Sequence, residues 1–232
     1  MSKTAKIVQI VLLVAIAAAA INLYLTFRER RIEFVKDKRA ETPLNPDYYV
    51  TPKKLHPQDL KDAQELTKQP AWVQVGYSIT YYPYPGHADF QHPSGTLGPL
   101  EKLSIQKVVL DRTPGSATQK QVMAVFERDG KQYAFPIGAE DNGSYTFYSD
   151  QMLFIQDPHE LYKHWPAAVW KDIDDHQVKL GMSELQATFA IGAGTPEGTG
   201  ASNPRIVNFP NNGHATRITF TDGKATDIEK QS

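Results

Sequence analysis

Residues 119–147 read QKQVMAVFERDGKQYAFPIGAEDNGSYTF, three stretches of strand length joined by two turns. Val, Phe, Tyr and Thr fill the stretches, and such side chains pack well on a pleated surface. Asp129-Gly130 and Asn142-Gly143 separate them, and both dipeptides accept the left-handed backbone of a two-residue hairpin turn. Strands joined this tightly run antiparallel, because a parallel pair needs a crossover of about a dozen residues or more.

Working outward, WVQVGYSIT (72–80) and LSIQKVVLD (103–111) read as strands on the amino side, and QMLFI (151–155) on the carboxyl side. With no crossover helix among them, residues 71–157 are expected to form a small antiparallel β-barrel or sandwich of the SH3-like kind. Between the first two strands lies YYPYPGHADFQHPSGTLGP (81–99), a loop by its Pro and Gly content. Tyr81, Tyr82, Tyr84 and Phe90 make it too apolar to be merely solvated. They either tuck over their own domain or are candidate partner contacts. His87 and His92 stand five apart in the same loop, but with no Cys and only Asp89 nearby, a metal site is not expected.

After Asp157-Pro158 the pattern changes. Val169, Trp170 and Ile173 form one apolar stripe behind Pro166, and Ser183 is a good cap for a second helix carrying Leu185, Phe189 and Ala190. RIVNF, ATRITF and KATDI follow, punctuated by Asn212-Gly213 and Asp222-Gly223. Residues 158–232 are therefore expected to be a helix-helix-three-strand α+β module, with Trp165 and Trp170 plugging it onto the preceding domain.

On the other side, Thr42 to Pro70 carries prolines at 43, 46, 52, 57 and 70. Residues 41–70 read as an extended Pro-rich linker with one short helix, Pro57 in its first turn and Leu60, Ala63 and Leu66 on one side. Residues 1–40 are expected to be an anchor helix and a charged helical stalk. From Ile7 to Leu25 there is no charged residue, and a helix of that length matches the ~30 Å hydrocarbon core of a bilayer. Ile7, Leu12, Ile16, Ile21 and Leu25 are the expected spanning residues. Lys3 and Lys6 precede the run, and Arg28, Arg30, Arg31, Lys36, Lys38 and Arg39 follow it. A cleavable signal peptide is the competing reading, but apolar character continues through Phe27 and a basic cluster follows at once. The basic excess favours a cytoplasmic soluble part at the inner (cytoplasmic) membrane.

The sequence VKLGMSELQATFAIGAGTPEG, with RIVNFPNNGHATRITFTDGKATDI after it, resembles the small helix-helix-sheet module of the BamE-type (SmpA/OmlA) lipoproteins of bacterial outer membranes. The match lies in Gly181-Met182-Ser183 at the helix start, the Gly194-Thr195-Pro196 bend, an aromatic-bearing strand and the final Asp-Gly-Lys hairpin. The resemblance implies a noncatalytic assembly module near a membrane, and a periplasmic rather than cytoplasmic setting. No lipobox Cys is present, and the domain over 71–157 is foreign to that family, so outer-membrane location and barrel assembly do not carry over.

Composition narrows the function. The 232 residues are 41% hydrophobic and 22% charged with a net charge of −1, which excludes collagen-like or wholly disordered chains and gives no basic field for nucleic acid. Without Cys there is no disulfide and no thiolate chemistry. His159 and His164 are spaced i, i+5, about 140° apart on a helix, so they do not reproduce a zinc-binding H-E-x-x-H. The glycines 192, 194, 198 and 200 follow a helix and lack the Lys-Ser/Thr ending of a phosphate loop. Asp172, Asp174 and Asp175, beside His176, read as a solvated helix face. No enzyme and no cofactor are expected. The sequence points to a single-pass, membrane-anchored accessory or scaffold protein, a subunit or stabiliser of a larger respiratory, photosynthetic or assembly complex. Its partners would be the lipid bilayer and integral membrane protein subunits. The alternatives are a membrane-tethered ligand-binding or sensory module with a cleft between its two domains, and a hydrolase built from dispersed His and Asp.

Overall fold

The structure is a computed structural model that describes residues 16–28, 45–198 and 202–231. The chain divides after Tyr48 into two units. In the first, residues 16–28 form helix α1. Ile16, Ile21 and Leu25 are 58%, 60% and 46% exposed on it. At 1.5 Å per residue α1 rises only ~20 Å, and among the described residues no helix is long and apolar enough to cross a membrane. Ile7, Leu12 and the stalk after Arg28 lie outside the described residues.

In the second unit the strands of residues 119–147 are β6 (Lys120–Arg128), β7 (Lys131–Asp141) and β8 (Ser144–Phe147). Arg128 pairs with Lys131 and Asp141 with Ser144, closing both two-residue turns. Asp129 and Asn142 have φ of 52° and 51°, each followed by a positive-φ Gly, as a primed turn demands. With β2 (Thr80–Pro83), β3 (Gly95–Thr96) and β5 (Ile105–Arg112) they make an antiparallel sheet of order β3-β2-β7-β6-β5, with β8 also on β7. Central β6 is buried on both faces. Val122, Ala124 and Phe126 enter one core, while Met123 and Val125 pack with Tyr84, Ala88 and Phe90 of the aromatic loop, which covers the other face. This explains its unbroken apolar run, since a strand covered on both sides has no polar face to alternate with.

A second antiparallel sheet, β4-β1-β9, is built from β1 (Ala71–Val73), β4 (Lys102–Leu103) and β9 (Leu153–Phe154). The chain crosses from it into the large sheet at Ser104, between β4 and β5. Strand alternation gives this small sheet two jobs. Val73 and Leu153 face the first core with Phe126, Phe135 and Ile137, whereas Trp72 and Phe154 face a second core.

That second core is closed by α5 (Ala167–Asp174), α6 (Glu184–Ile191) and the antiparallel sheet of β10 (Thr195–Pro196), β11 (Arg205–Phe209), β12 (Thr216–Thr221) and β13 (Lys224–Lys230). Ser183 caps α6 through a reciprocal box with Gln186. Asp222-Gly223 makes the last hairpin as expected, pairing Thr221 with Lys224. Asn212-Gly213 lies instead in a longer loop between Phe209 and Thr216. Beyond the three strands expected, β10 adds a fourth.

Three readings need correction. WVQVGYSIT is not one strand, because the chain breaks between β1 and β2 at Gly76-Tyr77, where Tyr77 has φ 62°. Within QMLFI only Leu153 and Phe154 are extended. The preceding Ser149–Met152 forms a single helical turn, α3. Pro57 does not start the short helix. Asp59 caps α2 (Leu60–Ala63) instead, accepting from the Asp62 N–H at 2.8 Å. From Lys53 onward the Pro-rich segment is bound to the β-sheets. Asp150 Oδ1 and Oδ2 accept the N–H groups of Leu55 (2.9 Å) and His56 (2.8 Å), and Gln156 accepts that of Lys53 (2.8 Å). Gln64 donates to the Val108 carbonyl (2.5 Å) and accepts from its N–H (3.1 Å), so a side-chain amide stands in for a neighbouring strand at the edge of β5.

Candidate binding cleft

Two glycines set the place where the β-sheets meet the helix-covered sheet. A Cβ on Gly76 would lie 2.4 Å from Pro99, and one on Gly192 would lie 2.7 Å from the Gly76 carbonyl. Gly192 also has φ 87° as it ends α6. Only glycine lets these backbones touch, and the neighbouring Ala193 N–H reaches the Gly76 carbonyl at 3.4 Å.

Around this contact the backbone is unusually strained. Tyr77, Leu100 and His176 have φ of 62°, 53° and 53°, away from any Asp-Gly or Asn-Gly hairpin. Each such residue costs ~1–3 kcal/mol, and such strain gathers at functional sites. All three line cavities that meet at His176. The His176 Nδ1 lies 3.0 Å from the Ala190 carbonyl, which can only accept. Nδ1 therefore carries a proton, and Nε2 is the nitrogen left for a ligand.

On one side of His176 is a cavity of about 490 Å³ lined by Glu101, Arg128, His159 and Asp174. Its charges answer one another. Arg128 donates to the Tyr81 hydroxyl at 2.8 Å, is ion-paired with Glu101, and lies 4.7 Å over the Tyr81 ring. Burial pulls the Arg128 pKa down, but the bond to Glu101 and its charge prevail and hold it above the usual value. His159 lies 3.2 Å from both Asp157 and Asp174 and stacks on Trp170 at 4.0 Å.

On the other side lie two cavities, one of about 570 Å³ between Tyr77, the Asn211–Thr216 loop and the end of β13, and one of about 270 Å³ between residues 176–179, Asn211, Thr216 and β13. The Tyr77 hydroxyl has its pKa raised, first by burial and then by Glu101, which favours the protonated, hydrogen-bond-donating form.

Of the residues singled out from sequence, His159, Asp174 and His176 line the first cavity, while the aromatic loop and the two tryptophans fall elsewhere. Tyr81 and Tyr84 are 8% and 6% exposed, committed to the first core and to the outer sheet face. Both therefore tuck over their own domain, the other role that the loop's aromatics were given. Tyr82 and Phe90 are half-buried, their rings 5.0 Å apart. Asp111 pins their loop: its side chain is 1% exposed and accepts from Ala88 N–H (2.6 Å) and Arg112 N–H (2.8 Å), with His87 Nδ1 at 3.2 Å. His92 pairs separately with Asp89 at 2.9 Å, holding that carboxyl below its usual pKa. Among the described residues no group of three or more His, Asp or Glu is placed to hold a metal. Trp165 and Trp170 are buried together in the second core, 5.2 Å apart, in the company of Phe154 and Trp72 from the small β-sheet. Sequence reasoning missed Tyr77 and Lys230, and placed His176 only beside a solvated helix face. Gly76 and Gly192 were the visible signals, and neither says what it abuts.

The described residues define the class: an α+β protein of antiparallel sheets with a strained cleft at their junction. No family model, curated protein or solved structure matches the chain.

Proposed function

We propose that the chain is a single-pass, membrane-anchored accessory protein, a noncatalytic subunit or stabiliser of a larger membrane complex. The observation that carries this is α1, in which Ile21, Leu23, Tyr24 and Phe27 are 60–69% exposed and residues 16–27 carry no charge. Exposed apolar surface costs ~25 cal/mol per Å² in water, so an uncharged helix whose polar side chains before Arg28 are only Asn22 and Thr26 belongs in lipid or against other apolar helices. The uncharged run continues back to Ile7, giving the length a span needs. The anchor sits in the inner membrane, and the basic excess after it favours a cytoplasmic folded part. Two antiparallel sheets about one core, joined by a strand that turns the corner at Ser104, support the SH3-like reading of residues 71–157. Two helices over a sheet that ends in an Asp-Gly-Lys hairpin support the BamE-like reading of the carboxyl-terminal module.

Extraction of the full-length protein from native membranes in mild detergent tests the proposal. A stoichiometric integral-membrane partner is expected, and a lone protein would overturn the subunit role. The strained cleft around His176 favours a second reading, a membrane-tethered ligand-binding module. Its check is a thermal shift with small ligands that is lost on His176→Ala.

A further inference from the structure

We propose that the His176 cleft binds a phosphate group on its side facing β13; the inference rests on the second reading above. The two cavities there share His176, Asn211, Thr216 and Lys230, and form one groove. Lys179, Lys230, His176 and His214 line it, and no Asp or Glu does. In a chain with 26 acidic and 25 basic residues, that separation is local rather than compositional. The cavity across His176 makes the contrast, since Glu101 and Asp174 line it beside Arg128 and His159.

Neither lysine is paired with a carboxylate among the described residues, and Lys179 bonds only to the neutral Gln177 amide at 2.8 Å. Lys179, Lys230, Asn211, Asn212 and Tyr77, all with hydrogen-bond donors in their side chains, are among the residues that line the groove. No arginine lines it, so its positive charge comes from lysine ammonium groups, which bind phosphate as compact point charges. Two lysines from separate segments with no carboxylate beside them in the lining suit a phosphate oxyanion. The larger cavity, about 570 Å³, leaves room for an organic group on the phosphate. That group is either a soluble ester or the glycerol of a lipid head group.

The test uses the full chain in a nonionic detergent, titrated with glycerol 1-phosphate while the ring-proton NMR signals of His176 and His214 are followed. Saturable movement of both signals is expected, with affinity falling about tenfold or more in a Lys179→Gln/Lys230→Gln variant of unchanged melting temperature. Nanodiscs separate the sources. A lipid-borne head group moves the same signals in phosphatidylglycerol discs, relative to phosphatidylcholine discs, with nothing added. A soluble ester moves them only when it is added. Unmoved signals in every arm overturn the phosphate site, as does equal affinity in the double variant. Movement by acetate or an uncharged ligand, but not by phosphate, overturns the phosphate and leaves the cleft a binding site. Failure of all ligands removes the second reading as well.

Discussion

At the scale of single residues, stability turns on what a side chain would collide with or lose. Gly192→Ala forces a Cβ to 2.7 Å from the Gly76 carbonyl at a backbone φ of 87°, whereas Gly223→Ala meets nothing within 4 Å at φ 73°. Gly223→Ala carries the left-handed penalty of ~1 kcal/mol, whereas Gly192→Ala, at ψ −174°, enters a region kept almost wholly for glycine and must also push the facing backbones apart. Its melting temperature should fall clearly further, and equal losses would mean that the junction is loose. Charge gives a second prediction. Bonds from Arg217 and then Asn208 hold the Glu197 carboxyl below its ordinary 4.5. A depressed acid adds stability that is complete above the unfolded value and is lost as pH falls through the folded one. Glu197→Gln should therefore flatten the stability profile below pH 4.5, with the difference from wild type vanishing at low pH. A difference confined to pH above ~7 would contradict the assignment.

At the scale of elements, Gln64 and Asp111 each hold a segment against the large sheet. Gln64→Ala leaves the Val108 N–H and carbonyl without their partner, so exchange of the Val108 amide should accelerate while that of β6 stays protected. Asp111→Ala strips two backbone N–H groups of a buried acceptor. It should cost ~2 kcal/mol or more in urea unfolding and expose the 84–92 loop to proteolysis. The elements were unevenly legible in the sequence. Asp129-Gly130, Asn142-Gly143 and Asp222-Gly223 marked their hairpins because two consecutive positive-φ residues demand that chemistry. Ser183 marked the start of α6 for a similarly local reason, and the structure adds Gln186 as its reciprocal partner. The break at Gly76-Tyr77 was hidden because a tyrosine in a left-handed conformation is imposed by distant packing. The groove beside His176 was hidden too, since Tyr77, His176, Asn211 and Lys230 are far apart in the chain and meet only once the sheets are in place.

At the scale of the whole molecule, the small sheet is a wall with a core on each side. Val73 and Leu153 face one core, Trp72 and Phe154 the other. Residues 49–232 should therefore unfold in one cooperative transition. Calorimetry of Phe126→Ala and Trp170→Ala tests this, since each removes a buried ring from a different core at a cost of ~3–5 kcal/mol. Both should lower the same single transition, and two separately shifted transitions would show independent domains.

In the function proposed above, the apolar amino-terminal segment holds this folded unit at a membrane beside integral-membrane partners. The most direct measurement washes native membranes with alkaline carbonate, solubilises them in mild detergent and follows the full chain on a native gel. The chain is expected to resist carbonate and to migrate in a stoichiometric complex. Release by carbonate, or migration as a lone chain, would contradict it.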